Sequence, residues 1–220
     1  MDKVKDMNER PLEKGLTKIK KIISDMADSA LHTVEASTQA YIKGESVEVQ
    51  VRAWSDALRS MDNDVEELAV ELLARHQPMA TNLRSIKSCM KISYDLSRFG
   101  RYAFDISYVL KLLDGYKMIE GKNQFIKEMC DKVLKMLQIT VEIYKTQKFE
   151  KIDDLNRLET EVDEMYRSRL RSMAKEKPRD ATKIIADTLF TRHLERIADH
   201  ACYIVEEVYY MVYGRPMYIR

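Results

Sequence analysis

Glu195 and Asp199 stand four residues apart in the run Leu194-Glu195-Arg196-Ile197-Ala198-Asp199-His200. An α-helix turns about 100° per residue, so the two carboxylates share one face, and an oxygen-rich face of that kind can hold a cation. Glu159 and Asp163 form a second pair with the same spacing. If the helices carrying the two pairs are antiparallel neighbours, four carboxylates converge on one shallow, solvent-facing patch. Such a donor set suits iron, manganese, magnesium or zinc, and ligand type alone does not choose among them. The competing reading is an ordinary solvated helix face, because acid pairs beside arginines also form weak surface ion pairs.

On a helical wheel with Glu195 at zero, Asp199 lies near 40°, whereas Leu194, Ile197, Ala201, Ile204 and Val208 centre near 240°. The acids therefore point away from the apolar stripe. His193 and His200 fall more than about 100° from the carboxylate direction, which assigns them to packing or surface rather than to ligation. Glu206 lies near the carboxylate direction about two turns on, and could extend the site or bind only water. Tyr203, Tyr209, Tyr210 and Tyr213 read as core edge or dimer contact before docking patch. No Glu-x-x-His pair of the ferritin-like kind, no H-E-x-x-H, no Walker-type loop and no G-x-S-x-G occurs, so nothing in the chain is built for turnover.

The elements that must position these acids are long helices. Glycine (6) and proline (4) are scarce in the 220 residues, a usage that favours helix over turn-rich sheet. Leu12, Leu16, Ile19, Ile23, Met26 and Ala30 draw one stripe down a first helix that runs to about Tyr41 and is broken at Lys43-Gly44-Glu45. A second helix is expected over about 46–75, with Trp54, Leu58, Met61, Val65, Leu68 and Leu72 inward and His76-Gln77-Pro78 as its stop. A third, about 80–113, carries Leu83, Ile86, Met90, Leu96, Ala103, Ile106 and Leu110 and closes at Asp114-Gly115. The plan then repeats over about 123–146, 151–175 and 181–213, with Lys177-Pro178 as a break and Gly214-Arg215-Pro216 as the last stop.

The third and sixth helices align at an offset of 98 and the second and fifth at 97, placing Ser97 on Glu195, Arg101 on Asp199, Asp62 on Glu159 and Glu66 on Asp163. Agreement in order, break type and offset predicts an all-α fold of two tandem three-helix bundles, six antiparallel helices in all, over residues 1–118 and 119–220. The segment 115–123 is the expected boundary. It is short, so the bundles should pack firmly.

Charge is nearly balanced, 37 basic against 36 acidic residues, which gives no global field toward nucleic acid. Cys89, Cys130 and Cys202 are odd in number and far apart, as expected of reduced, cytosolic thiols. No apolar run approaches the roughly 20 residues that span a bilayer, so membrane work would need a protein partner.

The run His193-Leu194-Glu195-Arg196-Ile197-Ala198-Asp199-His200-Ala201, with Glu159-x-x-x-Asp163 before it, resembles the PhoU family of phosphate-uptake regulators. The similarity covers nearly the whole chain, since that family is a tandem of two three-helix bundles with this motif in the last helix of each. The resemblance implies a non-enzymatic, cytoplasmic negative regulator of high-affinity phosphate uptake and phosphate homeostasis. Its partners would be a membrane phosphate ABC importer, a phosphate sensor kinase, or both, with no nucleic acid, no membrane insertion of its own, and a homodimer as the expected assembly. It also implies a metal ion cluster, iron or zinc before manganese or magnesium, on Glu159, Asp163, Glu195 and Asp199. The first repeat departs from the motif: Asp62 and Glu66 remain, but their partners are Ser97 and Arg101, and a guanidinium cannot ligate a cation. One metal site is therefore expected, not two. Arg101 is expected to reach Asp62 or Glu66, with Asp105 on its own helix as the alternative. From a different class, a metal-dependent helical-bundle enzyme acting on phosphate or oxygen is the runner-up.

Overall fold

The computed structural model describes residues 11–112, 124–175 and 181–219. Among them are six helices and no strand: α1 (Pro11–Lys43), α2 (Glu48–His76), α3 (Ala80–Leu112), α4 (Gln124–Thr146), α5 (Ile152–Lys175) and α6 (Ala181–Tyr213). Each agrees with its expected span to within about two residues. The expected boundary at 118/119 and the breaks at Asp114-Gly115 and Lys177-Pro178 lie outside the described residues.

Gly44, at φ 69°, lets the chain leave α1 in the left-handed conformation that glycine adopts at no steric cost. At the matching end of α4, Gln147 takes the same conformation at φ 55° and donates its N–H to Ile143 O at 2.8 Å, satisfying a terminal carbonyl.

The first three helices form one bundle and the last three another. Ile19, Ile23, Met26 and Ala30 of α1, Val51, Leu58 and Val65 of α2, and Ile86, Ile92, Leu96 and Ile106 of α3 are almost wholly buried. Burying side chains of this size contributes about 1.5–3 kcal/mol each, which is why apolar spacing decides the architecture. Leu83, expected in the α3 stripe, is instead 45% exposed near the helix start.

The bundles share a continuous core. Helices α3 and α6 run antiparallel along each other: Arg84 Nε donates to Met211 O at 3.4 Å, Ser88 Oγ to Glu207 Oε2 at 3.1 Å, His200 meets Asp95, and Tyr102 meets His193. The 98-residue offset carries Asp95 onto His193 and Tyr102 onto His200, so the last two contacts are exchanged by the repeat. The inter-bundle contact is thus isologous within one chain, like a two-fold dimer interface. Elsewhere Tyr41 of α1 stacks on Phe190 of α6 at 3.8 Å, and Lys145 of α4 binds Asp28 of α1 at 2.6 Å.

Candidate functional site

In α5 the apolar residues Leu155, Leu158 and Val162 face inward, leaving Glu159 and Asp163 half-buried on the flank. In α6 the stripe Leu194, Ile197, Ala201, Ile204 and Val208 is buried, with Asp199 half-buried beside it. Glu195 corrects the picture of a solvent-facing patch, since it is only 6% exposed. A helical wheel gives direction around the axis but not what the neighbouring helix covers.

A buried carboxylate needs partners, and Glu195 takes them from its own helix. Arg196 donates Nε to Glu195 Oε2 at 2.7 Å and a terminal nitrogen to Oε1 at 2.6 Å, while Arg192 adds a bond to Oε2 at 2.8 Å. The Arg196 guanidinium also lies 2.7 Å from Asp199 Oδ2. Its hydrogen bond to Glu195 and its two acidic neighbours push its pKa up. Asp163 is paired with Arg167 at 2.6 Å. Among the described residues Glu159 accepts one long contact, from the Thr160 hydroxyl at 3.5 Å.

The acids nonetheless feel one another. Burial, then Asp163 and Asp199, push the Glu159 carboxyl above its ordinary range. Burial, then Glu195, raise Asp199, with Asp163 adding to the shift and Arg196 opposing it. Behind them the Cys202 thiol is driven up by burial and by Glu159, Glu206 and Asp199. Acids of α5 and α6 thus interact across the two helices, with Arg167, Arg192 and Arg196 paired among them.

As a metal centre this arrangement is incomplete. The donor chemistry suits a hard or borderline cation, but among the described residues no group of three or more His, Cys, Asp or Glu side chains is arranged to hold one. The Arg196 guanidinium lies where a cation would have to bridge Glu195 and Asp199. In this conformation the side chains do not fit a metal cluster.

The first repeat differs as its sequence implied, though by other partners. Asp62 is buried and accepts a bond from Ser93 Oγ at 2.6 Å. Glu66 is exposed, and Ser97 Oγ donates to Tyr94 O on its own helix at 2.8 Å. Arg101 reaches neither Asp62 nor Glu66. Its Nε donates to Asp105 Oδ2 at 3.3 Å, because a residue one turn along the helix costs a long side chain less ordering than a partner across a groove. Glu206 accepts the N–H of Ile219 at 2.8 Å, fastening the segment after α6.

One functional-looking pair escaped the sequence reading. His200 Nδ1 lies 2.7 Å from Asp95 Oδ1 across the bundle interface, and its Nε2 lies 3.4 Å from the Tyr102 hydroxyl, which accepts a bond from Arg98 at 2.9 Å. Spacing did not signal it, since the repeat aligns Asp95 with His193 rather than with His200. Tyr209 and Tyr213 cluster with Phe149 at ring separations of 5.2 and 5.6 Å, while Tyr203 and Tyr213 are themselves exposed.

Comparison with known proteins gives a consistent answer. The PhoU domain matches residues 23–110 and again 126–208. A phosphate-specific transport system accessory protein PhoU homolog of Rhizobium meliloti is 26% identical over 87% of this chain and 83% of its own length. The homolog of the same description from Pseudomonas aeruginosa is 30% identical over 75% and 69%. The crystal structure of PhoU from Pseudomonas aeruginosa superposes with a TM-score of 0.84 at 28% identity, covering 92% of this chain and 99% of that one.

Proposed function

The chain belongs to the PhoU family, and on that premise we propose that it regulates phosphate-specific transport, as a negative regulator of high-affinity phosphate uptake and phosphate homeostasis. It would dock on the membrane phosphate importer, on a phosphate sensor kinase, or on both. What carries this reading is the match of the family's domain to both halves of the chain. The names of the relatives as accessory proteins of a phosphate-specific transport system support it. Among the described residues no helix is long and apolar enough to cross a membrane, and contact with an importer would run through protein surfaces. A homodimer and the absence of catalysis belong to the same proposal.

The finer part of the reading is one metal cluster, iron or zinc before manganese or magnesium, in the second repeat only. Glu159, Asp163, Glu195 and Asp199 would be its ligands once Arg196, whose side chain is 34% exposed, has turned outward. Metal analysis of protein purified without chelator addresses this part. Bound metal should be lost in Glu195→Ala and retained in Asp62→Ala, and the reverse pattern would place the cation elsewhere.

The regulatory role is tested by tagging the chain and purifying it from membranes of cells grown in high and low phosphate, alongside uptake assays on a deletion strain. Importer or sensor-kinase components should co-purify, and deletion should raise phosphate uptake in phosphate-replete cells. No co-purification together with unchanged uptake would sink the reading.

A further inference from the structure

Where α6 of the second repeat carries Glu195 and Asp199, α3 of the first carries Ser97 and Arg101. At Gly100, α2 and α3 approach so closely that an added Cβ would lie 2.8 Å from Leu58 Cδ1 and 3.2 Å from the Ser55 Cα. Beside this contact the two helices line a groove of about 750 Å³. Asp62, Ser97 and Arg101 face it, and these are the positions that align with Glu159, Glu195 and Asp199. Four guanidinium groups line it, Arg52 and Arg59 from α2 and Arg98 and Arg101 from α3.

The three aspartates of the groove leave these cations only partly neutralised. Asp56 pairs with Arg59 at 3.2 Å and Asp105 with Arg101 at 3.3 Å, each within its own exposed helix face, where such pairs are weak. Asp62 is occupied by Ser93. Arg52 and Arg98 make no salt bridge with a carboxylate among the described residues. Each is instead set against an aromatic ring, Arg52 at 5.7 Å from the centre of Phe104 and Arg98 at 4.7 Å from that of Tyr102. Arg98 also gives one N–H to the Tyr102 hydroxyl at 2.9 Å, and the other N–H groups of the two forks can meet an anion.

From this geometry we infer that the groove between α2 and α3 is an anion site that takes a phosphoryl oxyanion, inorganic phosphate or pyrophosphate. Planar guanidinium forks match phosphoryl oxygens bidentately, and several forks around a compact dianion give both charge balance and geometry. The groove volume falls in the range of small-molecule sites rather than of a surface for docking a whole helix. The Ser55 hydroxyl on its wall adds a neutral donor, whereas that of Ser97 is already given to Tyr94 O. The inference rests on this groove and not on the regulatory role proposed above.

Calorimetric titration of the full chain with inorganic phosphate, with pyrophosphate and with a glutamate-rich peptide, at a fixed ionic strength of about 0.1 M, tests it. Saturable one-to-one binding of phosphate or pyrophosphate is expected, weakened about tenfold or more in the Arg52→Ala, Arg98→Ala double variant. The Arg52→Lys, Arg98→Lys variant should bind several-fold more weakly than wild type, because charge is kept while the fork is lost. Arg75→Ala, which removes an exposed arginine outside the groove, should bind as wild type does. Circular dichroism and thermal melts establish that the variants are folded. Silence with both phosphoryl probes, binding indifferent to the arginine variants, or binding of the acidic peptide alone would each overturn the inference. A silent titration with membrane co-purification intact removes the anion site and leaves the regulatory role standing, whereas the opposite pattern does the reverse.

Discussion

Arg196 bridges Glu195 and Asp199, its guanidinium lying 2.6 Å from a Glu195 oxygen and 2.7 Å from an Asp199 oxygen. One side chain therefore neutralises the two acids that the sequence presents as a cation site. Arg196→Ala should destabilise the protein by about 1–2 kcal/mol, because it strips the chief partner from a buried carboxylate while Arg192 retains its single bond. Glu195→Gln in the same background should recover much of the loss. Urea unfolding of the single and double variants measures the coupling, and strictly additive effects would show that the bridge contributes nothing.

Glu159 has its folded-state pKa raised by burial and by Asp163 and Asp199. The folded state then binds the proton more tightly than the unfolded chain, so ionised Glu159 costs stability above its folded pKa, and that cost is absent below the ordinary value of 4.5. Stability from this group falls as pH rises from the unfolded to the folded pKa. Glu159→Gln should accordingly raise the melting temperature of chelator-treated protein at pH 7.5 and leave it unchanged at pH 4. A gain of equal size at both values would assign the effect to something other than charge.

The two polar contacts of the first repeat should differ sharply in weight. Ser93→Ala leaves the buried Asp62 without its 2.6 Å donor and should cost about 1–2 kcal/mol. Arg101→Ala removes an exposed pair within one helix and should fall within about 0.5 kcal/mol of wild type. Denaturant midpoints at matched slopes decide, and a larger loss for the arginine variant would mean that Arg101 has a partner across the groove after all.

All three cysteines are buried and free, and burial pushes the Cys89 thiol up to about 11. Thiolate is the reactive form, so native protein at pH 8 should react with a thiol reagent only as fast as it opens. All three should titrate promptly in denaturant. Rapid labelling of one thiol in the native state would identify a site of local opening, with Cys202 beneath the acidic region the informative case.

The helices and their repeat were legible in the residues, because apolar spacing at helical period and the stops at Gly44, Gln77-Pro78 and Gly214 are local properties of the chain. The acid pairs were equally legible, since residues four apart on a helix share a face wherever that helix goes. Whether Glu195 meets water or protein depends on how closely α5 packs against α6, and no periodicity encodes that. The partner of Arg101 turned on a competition between a nearby carboxylate on its own helix and acids across a groove, which only the inter-helix geometry could settle. His200 and Asp95 are 105 residues apart, and their contact exists only because the two bundles pack through α3 and α6. Sequence by itself determined what each helix offers: two acid pairs in the second repeat and a guanidinium where the first repeat has lost an acid. Tertiary structure decided which charges meet, because a carboxylate drawn out of water takes the nearest donor, and nearness across helices belongs to the fold.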